Sequence, residues 1–330
     1  MQPRDASADV RSGPHLFVHQ YGQLEGQNCP MDLQTHLASS AARGGARRRP
    51  GTQLGDWELV ARLAEGEWAT IYAARPNTCP SDWPADYAVK IAKQKKEGGV
   101  SASSLLAREA LVGQSVAHRH LIAVLSAHVD GSPSYLVMPL LGGATAERAV
   151  VSHGPFPTPH ALWIARQIAE ALEALHEAGW MHADVKPGNI VVSAEGHATL
   201  VDLGFALKLR SRECAAQSEL RGTMIYTAPE MISSTEPIDG QCDIYSLGVT
   251  LYEMLTGRPP FVDHDAGRLA LAHLQQPVPD ARRVRPLLDR DVCKLLSSML
   301  AKHPLRRPNA TELARQLARL EIATLEERVA

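Results

Sequence analysis

The sequence predicts an α+β fold of two lobes, a small one with a five-stranded antiparallel sheet and one helix, and a larger one that is mainly α-helical. Short β-branched and aromatic runs recur between residues 57 and 138, and helical periodicity takes over beyond residue 140. The length of 330 residues leaves room for about two compact units or one two-lobed domain. Lys plus Arg (34) nearly balance Asp plus Glu (36), with 45% hydrophobic and 21% charged residues, the profile of a globular domain. A net charge of -2 removes nucleic acid as an expected partner, because phosphate contacts need a basic excess.

Residues 1–52 lack periodic apolar patterning and end in Gly44-Gly45-Ala46-Arg47-Arg48-Arg49-Pro50-Gly51, the composition of a flexible extension. The small lobe is expected over 53–139. Its strands are runs 57–63, 70–74, 87–91, 122–129 and 134–138, and a helix over 103–116 falls between the third and fourth. The larger lobe, 140–322, contains a helical stretch at 159–178 that sets Leu162, Ala165, Ile168, Ala169, Leu172 and Leu175 on one face. Residues 323–330 are expected as a C-terminal tail. No apolar run approaches the roughly 20 residues of a membrane span, and Met1-Gln2-Pro3-Arg4-Asp5 does not open a secretory signal, so no membrane contact is expected. Cys29, Cys79, Cys214, Cys242 and Cys293 are dispersed and never spaced as CxxC, which argues against a disulfide framework or zinc ribbon and for a cytoplasmic setting.

Several motifs carry chemistry. The hairpin Leu63-Ala64-Glu65-Gly66-Glu67-Trp68-Ala69-Thr70-Ile71 joins two strands through small residues, which let backbone N–H groups approach a phosphate. Ala88-Val89-Lys90 then puts a lysine on a strand, and Glu109 follows 19 residues later in the helix. The strongest stretch is His182-Ala183-Asp184-Val185-Lys186-Pro187-Gly188-Asn189, with Asp202-Leu203-Gly204 beginning 18 residues after Asp184. Gly222 to Glu230, Asp243 to Val249 and Arg306-Arg307-Pro308 complete the series.

Over about Trp57 to Leu320 this order resembles the eukaryotic-type (Hanks-type) serine/threonine protein kinase family, with wording that leans towards its bacterial members. The resemblance implies ATP-dependent transfer of the γ-phosphate to Ser/Thr hydroxyls of protein substrates, with autophosphorylation. In that reading Lys90 holds the α- and β-phosphates and Glu109 fixes its ammonium. Asn189 and Asp202 bind Mg2+, or Mn2+ in its place, as oxygen ligands of a hard cation. Asp184 orients the acceptor hydroxyl and takes its proton, and Lys186 offsets charge on the transferred phosphate. The resemblance assigns the nucleotide pocket to Leu63, Ala64, Gly66, Ala69, Ile71, Ala88, Met138 and Val191, with backbone groups of Pro139 and Leu141 facing the base. It gives Asp243 the task of anchoring the loop around Asp184, and pairs Glu230 with Arg307. Lys186 two residues after Asp184 favours Ser/Thr over Tyr acceptors.

The chain departs from the family pattern at five positions. Ala64 and Ala69 replace loop glycines, Leu203 replaces phenylalanine, and Ala183 replaces the arginine before the aspartate. Gly113, four residues after Glu109, stands where the family packs a large apolar side chain against the Leu203 position, so the helix is expected to be less well braced. Ser211, Ser218 and Thr223 are the candidate phosphate acceptors of the 202–230 segment. Two alternatives stand beside the kinase reading. A pseudokinase scaffold would lack Lys90, Asp184 or Asp202, and a small-molecule phosphotransferase would have no use for the 222–230 segment. The sequence does not set the oligomeric state.

Overall fold

The computed structural model describes residues 52–93, 101–209, 224–233 and 238–326. Residues 1–51 of the expected extension, Ser211, Ser218, Thr223 and the end of the tail lie outside the described residues. The small-lobe sheet contains β1 (Thr52–Leu54), β2 (Trp57–Glu65), β3 (Ala69–Pro76), β4 (Tyr87–Ala92), β5 (Ser126–His128) and β6 (Tyr135–Pro139), in the order β1-β2-β3-β4-β6-β5. All pairings are antiparallel. The five expected strands are thus joined by a short sixth, β1, which folds back on β2 with Thr52 opposite Leu59 and takes residues 52–54 out of irregular chain.

On β4 the pleat separates two environments. Val89 faces a cluster with Leu59, Ala74, Tyr135 and Val137, whereas Ala92 belongs to the cluster under helix α1 (Ala102–Ser115). Lys90 shares the parity of Ala92 and so points at that helix. The helix has no side-chain N-cap bond, no acid in its first turn and no base in its last. Its stability therefore comes from packing of Leu105, Leu106, Ala110 and Val112, with Glu109 on the same buried face.

The strand expected over 122–129 is shortened to Ser126–His128. The preceding residues are drawn to the larger lobe instead: Ile122 N donates to Leu200 O at 3.0 Å, and Leu200 N donates to His120 O at 2.9 Å. A backbone strap thus joins the end of α1 to β10 (Ala198–Leu200).

The larger lobe is organised on α5 (Gln241–Thr256), nearly all of whose residues are buried, as expected of a helix apolar all round. Around it lie α2 (Ala146–His153), α3 (Thr158–Glu177), α4 (Pro229–Ser233), α6 (Ala266–Gln275), α7 (Arg290–Met299) and α8 (Ala310–Glu326). Helix α8 continues through residues 323–326 of the expected tail, where Thr324 is buried and its hydroxyl returns to Leu320 O. The short strands β7 (Ala144–Thr145), β9 (Ile190–Val192) and β10 form one ribbon, and β8 (Trp180–Met181) pairs with β11 (Leu207–Lys208). These ribbons frame the loop 182–189. Among the described residues no helix is long and apolar enough to cross a membrane.

Candidate active site

Lys90 lies at the centre of an ion triad in which Lys90 and Glu109 are buried and Asp202 is half-buried. Its Nζ donates to Glu109 Oε2 at 2.6 Å and to Asp202 Oδ1 at 2.9 Å. Burial alone would lower the Lys90 pKa, but the charges of Glu109 and Asp202 outweigh it and hold the ammonium above its ordinary range. Burial pushes the Glu109 carboxyl up against the opposing pull of Lys90. At Asp202 burial acts in the same direction, yet the Lys90 charge prevails and keeps the carboxyl low. Removing Lys90 would strand the buried Glu109 carboxylate, at about 3–5 kcal/mol. Asp202 adopts a left-handed backbone (φ 69°), and its Oδ1 also accepts from Gly204 N.

Facing this triad, the 182–189 loop gathers three polar side chains. Asp184 Oδ2 accepts from Lys186 Nζ at 2.7 Å and Asn189 Nδ2 at 2.8 Å, while Asn189 Nδ2 also reaches the Asp184 carbonyl. Asp184 Oδ1 is fully buried and has no partner. A buried orphan acceptor of this kind costs about 1–3 kcal/mol. The loop is held by Asp243, which is 0% exposed and accepts from His182 N (2.8 Å), Ala183 N (2.8 Å) and His176 Nε2 (2.9 Å). These bonds hold Ala183 at φ 63°, an unfavourable conformation for a residue with a Cβ. Burial opposes ionisation of Asp243, but His176 and the loop amide of His182 bring its pKa below the usual range.

The other expected pocket residues are spread over both lobes. Ala88 and Met138 are paired across β4 and β6 and are buried in the same cluster, with Ile71, Leu140 and Leu141 packed against it. On β9, Ile190 and Val192 belong to the large-lobe core, and the half-buried Val191 alternates to the opposite side. Leu141 N–H has no backbone partner among the described residues. Pro139 ends β6 opposite Tyr87. Leu63, Ala64 and Gly66 are exposed in the hairpin, whereas Ala69 differs: its methyl group is buried with Ala92, Leu106 and Ala110, so only its backbone can border a cleft. Gly143 (φ 106°) lies so close to β9 that any Cβ would overlap the Val192 carbonyl. This close approach lays β7 on β9 beside Val191.

Gly113 corrects the expectation of a poorly braced helix. A Cβ there would be 2.5 Å from Val124 Cγ2 and 3.6 Å from Leu203 Cδ1. Val124 therefore fills the space from the opposite side, so the helix is braced by a neighbour's side chain instead of its own. Beyond the loop, Glu230 and Arg307 form a two-pronged ion pair at 2.6 and 2.9 Å, with Arg307 stacked over Tyr245. The turn Met224–Tyr226 rests on α5 through Tyr226 Oη to Glu253 (2.7 Å) and Ser246 Oγ to Tyr226 O (2.7 Å). Sequence reasoning missed His176, Val124, Gly143 and Glu253. Of these only Gly143, within a Gly-Gly pair, carried a local signal.

Asn189 Oδ1 and Asp202 Oδ2 make no hydrogen bond within the described residues. They supply two hard oxygen donors, as suits a divalent cation that takes few protein ligands. No cluster of three or more His, Cys, Asp or Glu side chains among the described residues forms a protein-only metal cage.

Residues 57–317 match the protein kinase domain model. Among curated proteins, the serine/threonine-protein kinase PknH of Mycobacterium tuberculosis is 32% identical over 257 residues, covering 78% of this chain and 40% of the relative. PknE of the same species is 31% identical over 262 residues, covering 79% and 45%. The human serine/threonine-protein kinase ULK3 is 31% identical over 261 residues, covering 77% and 53%. The chain thus spans about half or less of the length of these relatives.

Proposed function

Because this chain belongs to the protein kinase family, we propose that it is a serine/threonine kinase that transfers the γ-phosphate of ATP to hydroxyls of protein substrates and to its own segment around Ser211, Ser218 and Thr223. The observation that carries this reading is the Asp184 carboxylate, held by Lys186 and Asn189 in the loop that faces the Lys90–Glu109–Asp202 triad. An acceptor hydroxyl donating to it is oriented for attack and gives up its proton there. ATP bound with Mg2+, for which Mn2+ can substitute, supplies the phosphoryl group and much of the charge neutralisation.

The chain's own groups do the positioning. Lys90 holds the α- and β-phosphates, and Glu109 fixes the direction of its ammonium through the 2.6 Å contact. Asp202 and Asn189 hold the cation. Lys186, held on Asp184, lies two residues along the same loop and offsets charge at the acceptor side. Ile71, Ala88 and Val191 sandwich the base, Met138 closes the back of its pocket, and the base meets the backbone of Pro139 and Leu141. The presence of Lys90, Asp184 and Asp202 together speaks against the scaffold alternative, and the Met224–Tyr226 turn braced on α5 gives a peptide somewhere to lie. Dispersed cysteines favour a cytoplasmic site of action, with Cys79, Cys242 and Cys293 free. The test is radiolabelled ATP offered with matched Ser, Thr and Tyr peptides and with small-molecule alcohols. Labelled Ser or Thr peptide is expected; label confined to small alcohols or to tyrosine would contradict the reading.

A further inference from the structure

A second concavity, sharing no residue with the site around Asp184, lies in the larger lobe between α5, the 278–282 segment and α7. Its volume is about 480 Å³, within the roughly 300–1,000 Å³ in which pockets take ligands. Tyr252 and Leu296, each 3% exposed, give it an apolar floor together with Val278. Three cations line it, Arg282, Arg290 and Lys294, against a single acid, Asp280.

These cations are weakly engaged. Arg290 has no hydrogen bond or ion pair among the described residues. The Arg282 guanidinium has only the Pro286 carbonyl at 3.4 Å. Lys294 meets Asp291 at 2.7 Å, but both side chains are largely exposed, so the pair contributes little. From 280 to 294 the chain carries Arg282, Arg283, Arg285, Arg290 and Lys294 against Asp280, Asp289 and Asp291, a local excess of positive charge in a chain whose net charge is -2. Leu287 on the same segment is 95% exposed. An apolar floor ringed by underused cations suits neither a bare anion, which would leave the floor wet, nor a neutral apolar group, which would leave the cations idle.

We propose that this concavity docks an acidic linear segment of a partner protein, which lays a bulky apolar side chain on the Tyr252–Leu296 floor and sets carboxylates against Arg282, Arg290 and Lys294. Because the readout is binding, its outcome is independent of whether phosphotransfer takes place as proposed. The probe is a fluorescein-labelled octapeptide, Glu-Asp-Glu-Leu-Phe-Glu-Asp-Glu, titrated with the full chain and followed by anisotropy.

Saturable micromolar binding is expected, weakening as salt rises from about 50 to about 300 mM. Arg282→Glu/Arg290→Glu/Lys294→Glu, which reverses the ring, should weaken it at least ~tenfold. Ser297→Trp, at an exposed lining position, should do the same by filling the space without changing charge. Both variants should melt with the wild type. The proposal is overturned if either folded variant binds as the wild type does, if the Gln/Asn version of the peptide or an RNA oligomer binds as tightly, or if no saturation is reached below about 1 mM.

Discussion

The loop bearing Asp184 is tied to the buried helix α5 by two hydrogen bonds to one carboxylate, which also accepts from His176 of α3, whereas Glu109, the partner of Lys90, sits on a helix that meets the larger lobe mainly through side-chain packing. In the first region the anchor, Asp243, lies inside a helix that is itself the centre of the core. In the second, α1 rests on the turn at Leu203–Gly204, where a Cβ on Gly204 would be 3.5 Å from Leu105 Cβ, and on the Val124 methyl that occupies the Gly113 gap. The proposed acceptor half of the site is therefore fixed by the same contacts that fix the fold. The proposed nucleotide half is assembled by ion pairs and side-chain packing between separate elements.

Asp243→Ala should produce the largest effect. It strands two backbone amides and the His176 ring in a dry site, each at about 1–3 kcal/mol. The melting temperature should drop by about 10 °C or more, with phosphotransfer lost. Melting within a few degrees of wild type would show that the two regions are not fastened differently. Glu109→Gln, by contrast, leaves Lys90 its bond to Asp202. A fall in kcat/KM of about 10–100-fold is expected with only a modest shift in melting, measured by steady-state kinetics beside calorimetry.

Gly113→Leu sharpens the packing argument. Alone it overfills the Val124 contact and should cost about 1–3 kcal/mol; combined with Val124→Ala it should recover most of that loss. Additive losses in denaturant titrations would mean that the two positions do not share one space.

The smallest effect concerns acid. Burial lowers the pKa of His273, which accepts from Tyr245 Oη at 2.9 Å, to about 4, and that of His120 to about 4 as well. Below about pH 6.5 the unfolded chain binds protons at these rings that the native chain refuses. Their stabilisation is complete above that pH and is lost as pH falls towards 4. His273→Asn should therefore lose less stability than wild type between pH 7 and pH 4.5, by thermal melts; an unchanged pH slope would count against the burial account.

The clustering of the proposed acceptor half was legible because its parts are consecutive. Asp184, Lys186 and Asn189 lie within one short loop, and their residue types state their chemistry. Lys90 and Glu109 could be matched by strand and helix periodicity. What could not be read is complementarity between distant residues: nothing local says that Val124 grows into the space Gly113 leaves, or that His176 shares the Asp243 carboxylate with two loop amides. The strand expected over 122–129 starts late, at Ser126, for a similar reason. Its composition suits a strand, but tertiary hydrogen bonds to Leu200 claim its start. Ala69 likewise reads as a phosphate-loop residue, while the fold turns its methyl group into the small-lobe core.

The most direct test separates binding from transfer at a single oxygen. Asp184→Asn keeps the shape of the side chain and its contacts to Lys186 and Asn189 but cannot take a proton. With radiolabelled ATP, Mg2+ and a generic basic protein substrate, its turnover should fall far below that of the wild type, while ATP binding measured by calorimetry stays within a few-fold. Retention of more than about a tenth of wild-type turnover would contradict the assignment of Asp184, and with it the account of the site.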